Sequence, residues 1–191
     1  MDNTHRLIVF LGKNPNQRYT MHQLSRLLKI PYATFYRMLK EIHHLLIIQQ
    51  VGKAKTIRLN FAHPIIKSYL AISSGEENRD YLQIRPLIKK IATEIDTSEV
   101  VVLFGSYARG EETEKSDIDL MVINKRGDKT LSFSKYELLF KKKINPIFVT
   151  EKEFKLMLKD KEENVGKQAL KNHIILNNPE HFWELVLNGI Q

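Results

Sequence analysis

The sequence has no cysteine and no long apolar run. The absence of cysteine excludes a disulfide scaffold and any zinc site built on thiolates. No apolar segment approaches the roughly 18 residues that a membrane-spanning helix needs, and the N terminus lacks a secretion-signal pattern. We therefore expect a soluble, cytoplasmic protein without a membrane partner, long enough to form one large domain or two small ones.

Positive charge is concentrated at one end of the chain. The whole chain has a net charge of +8, but residues 1–70 hold eleven basic and two acidic residues, whereas residues 71–191 hold nineteen and twenty. A basic proteome would spread its excess over both parts. The asymmetry therefore favours an N-terminal module that binds nucleic acid or another anionic surface.

The helical periodicity of apolar residues is interrupted at Ser73-Ser74-Gly75-Glu76-Glu77, a stretch of small and polar residues between two periodic segments. It predicts a domain boundary, with domains at 1–73 and 78–191.

Upstream of that stretch, the pattern predicts three helices and a hairpin. A helix over 4–11 would end at Gly12, a second would follow the capping-box pair Thr20 and Gln23, and a third would run from Pro31 to Leu46. Strands over 47–51 and 56–59 would flank a basic turn, with a further helix over 64–72. This order resembles a winged helix-turn-helix domain over residues 4–70.

The winged-helix resemblance implies nucleic-acid binding, with DNA as the expected partner. The apolar stripe of the third helix would face the core, which leaves its polar face for a DNA groove, while the hairpin would contact phosphates. The candidate DNA-binding residues are Tyr32, Tyr36, Arg37, Lys40, Lys53, Lys55 and Arg58. Two alternatives are a protein-docking module with a solvated basic face and a module that pairs two chains as a homodimer.

The second half begins with a strand that enters a small-residue turn. Residues 99–104 are almost all apolar, as expected for a strand buried on both faces, and Gly105-Ser106 follows directly. Glycine lets the backbone turn sharply and lets a phosphate approach closely, and Ser106 can donate to that phosphate.

Two aspartates begin the next predicted strand, over 117–123. Because side chains alternate along a strand, Asp117 and Asp119 project on one face, and Ile118 and Leu120 project into the core. Adjacent carboxylates repel each other, and a divalent cation with a preference for hard oxygen ligands, such as magnesium, relieves that repulsion. The alternative is a solvated pair at a strand edge.

The turn and the aspartate pair resemble the nucleotidyltransferase superfamily, in particular its minimal, kanamycin-nucleotidyltransferase-like prokaryotic members. The matching residues are Gly105, Ser106, Arg109, Gly110, Ser116, Asp117 and Asp119. The resemblance implies an α/β (α+β) fold like that of DNA polymerase beta, a mixed sheet with flanking helices. It also implies that Gly105, Ser106, Arg109 and Ser116 bind the nucleotide, and that the catalytic Asp117 and Asp119 hold magnesium, up to two ions.

The implied activity is transfer of a nucleoside monophosphate from a nucleoside triphosphate, expected to be ATP, to a protein, a small molecule or RNA. The family has a third carboxylate on the next core strand, predicted here over 143–149, where Asn145 stands. An amide carries no charge and cannot act as a base. Glu137, Glu151 or Glu153 could substitute in space. The alternative to an enzyme is a DNA-binding regulator whose second domain is catalytically degenerate, with Asn145 in place of the third carboxylate, and senses a nucleotide or dimerises.

Two further predictions concern the flanks of that strand. Lys141-Lys142-Lys143 is expected to form a solvated helix end, with a nucleic-acid or acceptor groove as the alternative. Downstream, helices are predicted around Phe154, from Val165 to Ile174, and over 179–187, with Trp183 in the core or an interface.

Overall fold

The chain divides into two compact units, Met1–Glu76 and Glu77–Gln191, in a computed structural model that describes residues 1–52 and 54–190. Among these described residues, no helix is long and apolar enough to cross a membrane.

The first unit consists of helices followed by a hairpin. Its elements are α1 (Asn3–Lys13), β1 (Tyr19–Thr20), α2 (Met21–Leu27), α3 (Tyr32–Glu41), a 3-10 turn (His43–Leu45), β2 (Leu46–Val51) and β3 (Ala54–Leu59). The strands form an antiparallel sheet in the order β1-β3-β2. The predicted capping box is present, because Thr20 accepts from the Gln23 backbone N–H and the Gln23 side chain accepts from the Thr20 N–H.

Two helix ends in this unit differ from the prediction. Gly12 does not end α1 but lies buried inside it, and the helix ends at Lys13. Helix α3 ends at Glu41 rather than Leu46, since Leu46 already pairs with Leu59 in the hairpin.

The polar stretch over 73–77 is helical rather than a loop. It lies within α4 (Ile66–Gln83), and the two units divide inside it. Ser73 and Ser74 are buried, and the Ser73 hydroxyl donates to the Tyr69 carbonyl one turn earlier, at 2.6 Å. A serine satisfied in this way need not break a helix. Helix α4 ends at Gln83, and α5 (Pro86–Glu94) begins anew with Pro86 in its first turn, where a missing N–H is tolerated.

The second unit is a mixed sheet with flanking helices, as predicted. After α5 come β4 (Val100–Phe104), α6 (Gly105–Arg109), β5 (Ile118–Asn124), α7 (Ser134–Phe140), β6 (Ile144–Thr150), α8 (Glu151–Lys159), α9 (Val165–Lys171), β7 (Ile174–Asn177) and α10 (Pro179–Ile190). The strand order is β6-β5-β4-β7, with β5 and β6 parallel and the other pairs antiparallel.

Residues 174–177 correct the prediction downstream of β6. The sequence predicts that Ile174 continues the helix from Val165, but α9 ends at Lys171 and Ile174 pairs with Leu103 in the sheet. Strand β6 is the edge strand next to β5, a position that tolerates Pro146, which has no backbone N–H to donate to a further strand.

All five residues of β4 are buried, so both faces of the sheet are covered, and one face carries a cluster of apolar side chains from β4, β5 and α5. Leu103, Ile118 and Leu120 are fully buried there and pack with Ile88 and Ile91 of α5. Trp183 of α10 is also fully buried, which confirms it as a core residue. Alternation along β4 and β5 thus leaves the start of β5 with polar side chains on the opposite face.

Candidate active site

The turn after β4 brings the backbone against an aspartate. Gly105 has φ +71, a conformation that favours glycine, and Phe104 pairs with Asp119 across the sheet. A Cβ added at Gly105 would lie 2.2 Å from Asp119 Oδ2. A side chain at position 105 would therefore displace the Asp119 carboxylate.

Asp117 and Asp119 flank the first residue of β5, with Ile118 fully buried between them. Asp119 is opposite Asn145 of the parallel strand β6. The Asn145 Nδ2 donates to both carboxylates, at 3.1 Å to Asp117 Oδ2 and 3.4 Å to Asp119 Oδ1. The structure thus brings the two aspartates together on one face, with the amide of Asn145 between them.

Lys143 adds a positive charge to this group. Its Nζ lies 3.3 Å from Asp117 Oδ2, and its backbone carbonyl accepts from the Ile118 N–H at 2.9 Å. The hydrogen bond from Asn145, which is the largest effect, together with the Lys143 ammonium, holds the pKa of Asp117 below its ordinary value, against a smaller opposing effect of desolvation. Asp117 is therefore an anion at neutral pH.

The other predicted nucleotide-binding residues differ in how they are held. No hydrogen-bond partner of the Ser106 hydroxyl is found in the described part of the chain. Arg109 forms an exposed ion pair with Glu111, with Nε and Oε2 2.6 Å apart. Ser116 accepts from the Thr113 backbone N–H at 2.9 Å, which shapes the loop just before Asp117.

A tyrosine from α4 anchors the turn that carries Ser106. The Tyr81 hydroxyl donates to the Tyr107 carbonyl at 2.9 Å, and the same carbonyl accepts from the Gly110 N–H. Burial, partly offset by Arg85, raises the pKa of Tyr81 to about 12. The hydroxyl stays protonated and keeps donating throughout the physiological range.

None of the three glutamates that could replace a third carboxylate joins the pair. Glu137 accepts from the Ile144 N–H at 2.8 Å, and Glu153 forms a capping box with Thr150. Glu151 pairs with His181 at the far end of β6, and five residues of strand separate Asn145 from Thr150, about 16 Å. In residues 1–52 and 54–190, no three His, Asp or Glu side chains are grouped to hold a metal ion.

In the first unit, the predicted DNA-binding residues of α3 are exposed. Tyr32, Tyr36 and Lys40 follow one another at four-residue spacing, and Arg37 is beside them, while Phe35 is buried. The Lys40 ammonium lies 4.8 Å from the centre of the Tyr36 ring. On β3, Lys55 is exposed and Arg58 is half-buried, and Lys53 lies outside the described residues.

Two residues near these sites were not predicted from the sequence. Lys143 was expected in a solvated helix end, although it directly precedes β6 and lies two residues before Asn145, a spacing that places both side chains on one face of extended backbone. His22 stacks on Tyr32 with ring centroids 4.5 Å apart, a contact that no spacing rule indicates.

The comparisons with known proteins agree with this geometry. A family model described as nucleotidyltransferase domain matches residues 85–176. A Methanocaldococcus jannaschii protein named "Putative protein adenylyltransferase MJ0141" is 33% identical over 100 residues, which cover 46% of this chain and 100% of that protein. The chain therefore belongs to the nucleotidyltransferase domain family.

Two further proteins of that organism carry the same name with the numbers MJ1379 and MJ0128. They are 59% and 56% identical, each over 34 residues, or 18% of this chain. These two alignments span 34% and 35% of the relatives' own lengths. No solved structure matches the chain.

Proposed function

We propose that the chain transfers an adenylyl group from ATP to a hydroxyl of an acceptor protein. The observation that carries this proposal is the convergence of Asp117 and Asp119 beside the Gly105-Ser106 turn, in a chain of the nucleotidyltransferase family. ATP and a protein acceptor are favoured because the relatives are named protein adenylyltransferases. A small molecule or RNA as acceptor would leave the same site chemistry unchanged.

In this reaction, the acceptor oxygen forms a bond to the α-phosphorus as the bond from that phosphorus to the bridging oxygen breaks. Pyrophosphate leaves with the electron pair, and the proton of the acceptor hydroxyl passes to water. Gly105 has no side chain to block a phosphate, and the Ser106 hydroxyl, for which the described residues provide no hydrogen-bond partner, is free to donate to that phosphate. Arg109 adds positive charge once it leaves Glu111 and contacts the nucleotide. The chain thus acts mainly by position and charge.

The residues at the start of β5 fit a magnesium ion. Asp117 and Asp119 supply hard, anionic oxygens, the donor type that magnesium prefers, and the backbone at Gly105 leaves the space beside Asp119 free of side chain. Bound magnesium would neutralise triphosphate charge and lower the pKa of the acceptor hydroxyl. Asp117 and Asp119 would hold it, and Asn145 would add no charge.

Label transfer tests the proposed activity. The chain is incubated with a cell extract and ATP labelled at the α- or the γ-phosphate, with magnesium or with a chelator. We expect magnesium-dependent labelling from α-labelled ATP alone, lost in Asp119→Asn and retained in the exposed-site control Lys125→Gln. Labelling from γ-labelled ATP would contradict adenylyl transfer, because that phosphate leaves with pyrophosphate.

We also propose that the first unit is a winged helix that binds DNA. Support comes from the net positive charge of residues 1–70 and from the exposed row of Tyr32, Tyr36 and Lys40 on α3. Reversal of Arg37 and Lys40 to glutamate should lower affinity for duplex DNA and reduce the slope of affinity against salt by about two. Lys125→Glu is the matched charge control in the other unit. Unchanged affinity in Arg37→Glu/Lys40→Glu would favour a docking or pairing role.

Asn145 favours a second candidate function, a DNA-binding regulator whose second unit binds a nucleotide without turnover. An amide at this position supplies neither a charge nor a base. Under this alternative, ATP would bind in an Asp119-dependent manner and change DNA affinity, with no label transferred.

A further inference from the structure

The hydrogen bonds to Asp117 and Asp119 are unevenly distributed over their carboxylate oxygens. Asp117 Oδ2 accepts from both Asn145 Nδ2 and Lys143 Nζ, and Asp119 Oδ1 accepts from Asn145 Nδ2. Across the part of the chain that the structure describes, Asp117 Oδ1 and Asp119 Oδ2 receive no hydrogen bond. Each carboxylate therefore keeps one oxygen for a ligand.

Lys143 is held at this site by the backbone as well as by its charge. It directly precedes β6, and its carbonyl accepts from the Ile118 N–H, the residue between the two aspartates. Lys143 and Asn145 are two residues apart and so point to one face, toward the aspartates. The side chain is 68% exposed, so the ammonium can also reach a ligand from solvent.

The charge at the site decides how many cations it can hold. Three carboxylates would offer three negative charges to two divalent ions, but here two carboxylates face one ammonium and one neutral amide. The set therefore has a net charge of −1, which one divalent ion already more than neutralises, and a second ion would meet the like charge of Lys143 without a carboxylate to offset it.

We propose that the site holds a single divalent cation, between Asp117 and Asp119, and that Lys143 supplies the second positive charge in place of a second metal ion. Asn145 sets this stoichiometry, because it positions both carboxylates without adding a negative charge. Lys143 is a positioning and charge-supplying residue that acts through Asp117. The inference rests on the proposed function, since it concerns the same metal-dependent site.

Binding of Mn²⁺ alone, without nucleotide, tests the proposal. Free Mn²⁺ is counted by electron paramagnetic resonance during titration of the full chain. We expect one ion per wild-type chain. Lys143→Gln should bind that ion about fivefold more tightly, because a like charge is removed at the surface. The double variant Asn145→Asp/Lys143→Gln should bind two ions per chain.

Controls separate this inference from the function on which it rests. Lys125→Gln also removes one positive charge, but just after the far end of β5, and should bind Mn²⁺ like the wild type. Circular dichroism shows whether each variant is folded. Two ions on the wild type, or unchanged binding in both Lys143 variants, would overturn the inference and leave the proposed activity standing. No saturable Mn²⁺ binding by the wild type would overturn both.

Discussion

Replacement of Gly105 by alanine is the sharpest test of the geometry around Asp119. The new Cβ would lie 2.2 Å from Asp119 Oδ2 and 3.3 Å from Asp119 Cβ. Contacts below 3.0 Å essentially never occur for a real Cβ, so the carboxylate must move by at least 0.8 Å. The positive φ of +71 adds about 1–2 kcal/mol of backbone strain for a residue with a side chain.

Because the Asp119 side chain can rotate away, most of the steric conflict should appear in binding rather than in stability. We expect Gly105→Ala to lose about 1–3 kcal/mol of unfolding free energy in urea. Its Mn²⁺ affinity should fall roughly 10- to 100-fold, the range seen when groups that position metal ligands are disturbed.

Gly127→Ala is the matched control. Gly127 has φ +72, and its added Cβ would meet the Thr150 methyl at 3.3 Å, far from Asp119. This variant should lose a similar amount of stability and keep wild-type Mn²⁺ affinity. Equal Mn²⁺ affinity in the two variants would refute the close approach of the turn to Asp119.

Two other variants follow from hydrogen bonds around the site. Asn145→Ala should raise the pKa of Asp117 toward its ordinary value, measured by carboxyl NMR titration. Because the pKa of Asp117 is lower in the folded than in the unfolded state, its ionised carboxylate stabilises the fold above the unfolded-state pKa, and this stabilisation is lost as the pH falls through the folded-state pKa. The variant should therefore be less stable at neutral pH, and its stability should change less as the pH is lowered. An unchanged Asp117 titration would contradict the contact. Tyr81→Phe should lose about 1 kcal/mol at pH 7, measured by urea unfolding, because the Tyr107 carbonyl loses a donor. Because the pKa of Tyr81 is raised in the folded state, the protonated hydroxyl contributes its full stability below pH 10, and that stability is lost as the pH rises toward 12. The difference in unfolding free energy between the wild type and Tyr81→Phe should therefore shrink in that window. Parallel alkaline profiles for the two proteins would contradict burial of this hydroxyl.

The sequence predicts correctly those features that depend only on residues close to one another along the chain. The alternation of side chains predicts that Asp117 and Asp119 share a face and that Ile118 is buried, and the structure has both. The strand before Gly105 and the capping box at Thr20 follow equally from local pattern. The mixed sheet came from the family resemblance rather than from periodicity.

Features that depend on distant partners were missed. Ile174 matches a helical pattern, but pairing with Leu103 places it in a strand. The predicted helix end is present at Lys141, which is exposed and caps α7 with φ +51, but the sequence does not indicate that Lys143 lies against Asp117. Neither outcome can be obtained from a residue and its sequence neighbours alone.

The two aspartates differ in how firmly the sheet holds them. Asp119 is paired on both sides, with Phe104 of β4 and Asn145 of β6, whereas Asp117 precedes the first pair that β5 forms. The backbone of Asp119 is therefore held by the sheet on both sides. Asp117 lies at the end of the loop before β5, and its carboxylate is held by the side chains of Asn145 and Lys143. The sheet thus fixes the backbone of one aspartate and leaves the other at a strand end, so amide hydrogen exchange should be slow at Asp119 and faster at Asp117.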